Sequence, residues 1–146
     1  MHKKIDVYDF DGTIYDGDST VDFFFFTLFR NPRIIVKLPV IFWYACLYLL
    51  HIVSLQTFKS HFFSFVTKIK DIDQEIELFW QKKEKKINTY FLENMKEKKA
   101  TYVISASPEF LLKPFLKKWK NISVIASVVD KKTGVYTGKN CKGEEK

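Results

Sequence analysis

Residues 5–19 read IDVYDFDGTIYDGDS. Ile5–Phe10 leans apolar and predicts a short strand, followed by the loop Asp11–Ser19. From Asp9 to Ser19 the chain holds four carboxylates and two glycines. Acids crowded at a strand end repel one another, and a cation bound by oxygen ligands is the arrangement that removes the repulsion. Asp9 and Asp11 lie two apart, so on extended backbone their side chains point the same way. One carboxylate can then attack a phosphorus atom while the other handles protons. Gly12 lets the backbone approach a ligand closely, and Thr13 can fix the loop through its hydroxyl. Asp16, Gly17 and Asp18 read equally well as a polar turn leading into the next segment.

Outward from this stretch, Thr101–Ile104 ("TYVI") is a second short strand, ending in "SASPEF". Ser105 thus stands at a strand end, as Asp9 does; taken alone it reads equally as a helix cap. Pro108 suits the first turn of a helix running to about Lys118. Ser123–Val129 is a third strand, and "VDKKTGVYTGK" reads as a hairpin with Lys132-Thr133-Gly134 near its turn. Open α/β sheets bind ligands outside the carboxyl ends of their strands, so Asp9 and Ser105 mark one edge.

Between the first two strands lies a long helical stretch. From Lys68 to Lys99, residues Ile69, Ile72, Ile76, Phe79, Trp80, Ile87, Tyr90 and Phe91 recur at helical spacing, the pattern of helices packing one face on a core. Leu38–Phe58 carries no Lys, Arg, Asp or Glu over 21 residues, close to the roughly 20 that a membrane span needs. Pro39, His51, Ser54, Gln56 and Thr57 interrupt it. Its strictly apolar part, Val40–Leu50, predicts a buried helix in preference to a span or a membrane-surface helix. His51 and His61 read as packing residues.

At 146 residues the chain is about one domain, and its 47% hydrophobic share is enough for a core. The net charge is +7. Its denser lysine clusters, Lys82–Lys86 and Lys96–Lys99, fall in helical segments mixed with Glu, which predicts solvated helix faces rather than a nucleic-acid patch. Cys46 and Cys141 are far apart and show no metal spacing. The N-terminal residues lack a signal-peptide run, so a cytoplasmic location is expected.

The "DFDGT" of Asp9–Thr13 resembles the first motif of the haloacid dehalogenase (HAD) superfamily. "VISAS" resembles its second motif and "GKNCKGEEK" the region of its third-motif lysine. The layout is similar to the phosphoserine-phosphatase-like subgroup (subfamily IB), in which a helical cap separates the first two motifs. The resemblance implies an α/β, Rossmann-like core, three-layered around a parallel sheet, formed by residues 1–19 and 95–146, with an all-helical cap at 20–94. It implies a Mg²⁺-dependent phosphatase acting on a small phosphorylated metabolite through an aspartyl-phosphate. A phosphomutase with the same chemistry is one alternative; a non-catalytic or membrane-surface binding fragment on this fold is another.

Residue by residue, Asp9 resembles the nucleophile and a metal ligand. Asp11 resembles the general acid/base, its backbone carbonyl a second ligand. Ser105, Ala106, Gly12 and Lys142 would hold the phosphoryl group; Lys146 is a second candidate for the lysine. Asp18 matches the position of a substrate-reading acid. Asp11 favours phosphatases and phosphomutases, because the dehalogenases lack an acid two residues after the nucleophile. The chain departs from the subgroup in two ways. Its only arginines, Arg30 and Arg33, lie early in the insert, so no arginine matches the one that reads the phosphoserine carboxylate. The acidic fourth motif, which completes the metal site, would lie beyond Lys146, and the 146-residue chain is therefore expected to be weakly active.

Overall fold

The computed structural model describes residues 4–97 and 99–140. Strand β1 (Asp6–Asp9) leads through the acidic loop into α1 (Ser19–Arg30). A 3₁₀ stretch, Pro32–Lys37, then precedes α2 (Leu38–Leu49) and α3 (Leu55–Phe62). Helices α4 (Ile72–Lys83) and α5 (Thr89–Asn94) return the chain to β2 (Thr101–Pro108). Helix α6 (Glu109–Leu116), β3 (Ile122–Val129) and β4 (Tyr136–Asn140) follow.

The sheet order is β1-β2-β3-β4. The first three strands are parallel, with Asp9 beside Ile104, and β4 returns antiparallel to β3. Parallel neighbours need a long crossover. The whole helical insert serves as one between β1 and β2, and α6 as the next. The anticipated hairpin is present: Asp130 turns the chain by accepting from the backbone N–H of Lys132 and Thr133. Gly134 sits there at φ 71°, and a Cβ would run into the carbonyl of Phe63.

The core is largely aromatic. Phe10 and Tyr15, fully buried, stack on each other, and both meet the edge of Trp80. Trp80 stacks in turn on Phe115, and its Nε1 donates to the Leu111 carbonyl at 2.8 Å, which ties α4 to α6. Of the insert residues expected on the packing face, Ile69, Ile76, Phe79, Trp80, Ile87 and Phe91 are buried. Tyr90, 63% exposed, is not; Asn88 caps α5 and leaves the ring on its outer side.

Three expectations need correction. Val40–Leu50 forms a helix, as anticipated, but not a buried one: Ile41 is the buried residue of α2, and Phe42 and Trp43 are 71% and 63% exposed. Helix α3 packs along one side of α2, through stacked pairs Tyr44–His61 and Tyr48–Phe58, and the 3₁₀ stretch contacts α2 as well. His61 is thus a packing residue, whereas His51 is exposed at φ 57° in the α2–α3 turn. Finally, Lys83 and Lys86 are half-buried rather than solvated, because both approach Asp22.

Candidate active site

The chain turns sharply after β1. The Phe10 carbonyl accepts from the N–H of Ile14 and Tyr15, both at 2.9 Å, which winds residues 10–15 into a tight loop. Gly12 closes it at φ 77°, its N–H shared between the carbonyls of Tyr15 (2.8 Å) and Gly17 (3.0 Å). Nothing lies within 4 Å of where its Cβ would be, so backbone conformation, not space, requires glycine.

This turn aims the two acids differently. Asp9 is exposed at the end of β1, and one of its oxygens accepts from the Phe10 N–H at 2.8 Å. Asp11 is held on both oxygens. Oδ1 accepts from the Ser19 N–H at 2.7 Å, at the start of α1. Oδ2 accepts from the hydroxyls of Ser107 (2.5 Å) and Ser105 (3.3 Å), at the end of β2. Ser107 also meets the hydroxyls of Thr20 at 2.7 Å and Ser19 at 3.3 Å, and its N–H donates to Ser105 Oγ. The network joins β1, β2 and α1 around one carboxylate.

Asp9 and Asp11 open on a pocket of about 440 Å³, together with Asp18, Ala106 and Ser107. Val21 and the rings of Phe58, Phe62 and Phe63 form its apolar wall. Lys59 of α3 reaches in from the cap, donates to the Ala106 carbonyl at 3.3 Å and lies over the Tyr136 ring. Ser127 holds the same carbonyl at 2.8 Å.

Of the residues singled out in the sequence, Asp9, Asp11, Asp18 and Ala106 therefore meet at one pocket. Gly12 shapes the turn beside them. Asp18 caps α1, accepting from the Val21 N–H at 2.9 Å. Ser105 is buried behind the pocket wall and faces Asp11. Lys142 and Lys146 lie outside the described residues. Two residues were not foreseen. Ser107 has a sequence signal, since it follows Ser105 at the same spacing as Asp11 follows Asp9. Lys59 has one too: it is the lone Lys or Arg between Lys37 and Lys68.

Beneath the site, Asp22 accepts from the Tyr15 hydroxyl at 2.6 Å and from Lys86 at 2.8 Å. Burial pushes the Asp22 carboxyl up, but the hydrogen bonds from Lys86 and Tyr15 and the charge of Lys83 outweigh it and hold it below the usual range. Burial, then the bond to Asp22, drives the Tyr15 hydroxyl far above its ordinary value.

Asp9 and the Asp11 carbonyl are hard oxygen donors that suit Mg²⁺, an ion content to keep several waters. Among the described residues there is no group of three or more His, Cys, Asp or Glu that could complete an all-protein site.

Residues 7–146 match the family model for haloacid dehalogenase-like hydrolases, and the chain belongs to that family. No curated protein matches the sequence. Among solved structures it is similar to a protein of unknown function from Bordetella pertussis Tohama I, at TM-score 0.69 and 13% identity over 95% of this chain and 67% of that one. A phosphoserine phosphohydrolase-like protein from Francisella tularensis subsp. tularensis SCHU S4 aligns at TM-score 0.49 and 18% identity, over 99% of this chain and 63% of that one. A phosphoserine phosphatase, as an analogue of its phospho-aspartyl intermediate, aligns at 0.47 and 14% identity, over 96% and 63%. The chain thus spans about two thirds of the length of these neighbours.

Proposed function

We propose that the protein hydrolyses a phosphomonoester through an aspartyl-phosphate on Asp9. The observation that carries this reading is the pair of acids with divided surroundings. Asp9 is exposed to the pocket with one hydrogen bond, while Asp11 is clamped by three donors beside it.

In the first step an Asp9 carboxylate oxygen attacks phosphorus, and the bond from phosphorus to the ester oxygen breaks. Asp11 gives a proton to the departing alkoxide; to carry that proton it must release one of its donors, as when the Ser105 hydroxyl at 3.3 Å turns away from Oδ2. In the second step Asp11 takes a proton from water as that water attacks phosphorus, and the Asp9–phosphorus bond breaks to release phosphate. Asp9 and the Asp11 carbonyl would hold Mg²⁺, which supplies charge neutralisation on the phosphoryl oxygens. Lys59 brings a cation to the same pocket from the cap, and its chemistry suits an anionic group of the substrate. The aromatic wall suits an apolar part.

The test is Mg²⁺-dependent turnover of p-nitrophenyl phosphate. Asp9→Asn should abolish it. Asp11→Asn should lower it by roughly 10²–10⁴-fold, the usual contribution of a general acid/base. Near-normal turnover in Asp9→Asn, with deamidation excluded by mass, would remove the assignment.

A further inference from the structure

We infer that the cap docks on an anionic lipid surface through α2 and the turn that follows it. A helix that is apolar all round is stable only when it is buried in something. One side of α2 packs on α3. The opposite side carries Phe42, Trp43 and Leu49, and the turn beyond adds Leu50 and Ile52, all more than 60% exposed. Ile35 and Val36 extend the patch back into the 3₁₀ stretch. Contiguous apolar surface of this kind marks an interaction site.

The charges around the patch select the occupant. From Phe23 to Lys70 the chain has no Asp or Glu; of the cations there, Arg30 is paired with Glu75 and Lys59 faces the pocket, which leaves Arg33 and Lys37 at the patch. Arg33 and Lys37 stand at the start of α2, beside the exposed apolar residues. Cations bordering an aromatic, apolar face suit the headgroup level of an anionic bilayer, where Trp and Tyr also settle. A second copy would bring the same positive rim against itself, which opposes pairing. The geometry is interfacial rather than spanning. Pro32–Leu49 passes as a span by length and composition, but Arg33 and Lys37 lie inside it and the side carrying Tyr44 and Tyr48 is taken by α3. Leu55, the first residue of α3 just beyond this turn, is 47% exposed and also lines the pocket, so docking would set the pocket near the lipid interface.

Flotation of the full chain with phosphatidylcholine vesicles, with and without one quarter phosphatidylglycerol, tests this. The protein should rise with the anionic vesicles, and rise less at high salt. Tryptophan emission should shift to the blue as Trp43 leaves water. Trp43→Ser combined with Leu50→Ser replaces exposed residues, so the circular dichroism spectrum and monomer state should persist while binding falls at least about tenfold. Arg33→Glu with Lys37→Glu should also lower binding, by about fivefold or more per charge. The inference is overturned if the protein stays down with anionic vesicles, or if the double serine variant, shown folded, floats as well as the parent. Extraction by detergent alone would replace it with a span. Concentration-dependent dimers that shield Trp43 from a soluble quencher would replace it with self-association.

Discussion

Asp11 has both carboxylate oxygens engaged, and Ser107 is the shortest of its partners. Ser107→Ala should leave the carboxylate free to turn. A positioning loss of that kind should lower kcat by about tenfold or more with KM little changed; steady-state kinetics on p-nitrophenyl phosphate reads the split. Lys59→Ala should do the reverse for an anionic substrate, raising KM with a smaller change in kcat, since it removes binding charge rather than a reacting group. Gly12 can be tested without kinetics. Gly12→Ala meets open space but must hold φ near 77°, which costs about 1–2 kcal/mol for a residue with a side chain. Urea denaturation measures it.

Among the elements, Asp22 of α1 ties the acidic loop to the 3₁₀ turn that follows α4, while Arg30 of α1 pairs with Glu75 of α4. Asp22 of α1 holds the Tyr15 hydroxyl and Lys86 together. Asp22→Asn should destabilise the fold by about 1–3 kcal/mol at neutral pH, because two partly buried donors lose their charged acceptor. The pH dependence follows from the shifts. The Asp22 carboxyl titrates lower in the folded chain than in the unfolded one, so its contribution is present above pH about 4 and is lost as pH falls through the folded value. Tyr15 is shifted upward, so its contribution is full below pH about 10, the unfolded tyrosine value, and fades as pH rises beyond it. Urea midpoints measured from pH 3 to 7 should therefore fall less steeply on the acid side for Asp22→Asn than for the parent.

At the scale of the molecule, α2 separates two kinds of apolar residue that the sequence does not distinguish. Ile41 is 8% exposed and Trp43 is 63% exposed. Ile41→Ala should cost about 2–5 kcal/mol, the range for truncating a buried aliphatic side chain. Trp43→Ala should stay within about 0.5 kcal/mol of the parent in the absence of lipid, as surface changes do. Equal losses at the two positions would mean that α2 is buried on both sides in solution. The sheet shows the same contrast: Val103 and Ile104, adjacent in β2, are 0% and 44% exposed.

The local chemistry was legible in the sequence because it depends on short spacings. A strand ending in Asp9, an acid two residues on, Gly12 in a turn and a second strand carrying Ser105, which runs on to Pro108 rather than ending there, are set by neighbours along the chain. So were the amphipathic helices from Ile72 to Phe91 and the hairpin at Gly134, whose periodicity and turn residues act locally. What lies opposite a residue was not legible. Periodicity says that α2 is apolar but not that α3 covers one side alone. A lone Lys59 says nothing of the Ala106 carbonyl 47 residues away. The clamp of Ser19, Ser105 and Ser107 on Asp11 forms only when the crossover returns β2 beside β1. Those contacts join residues far apart in the chain, so the packed sheet and cap decided them.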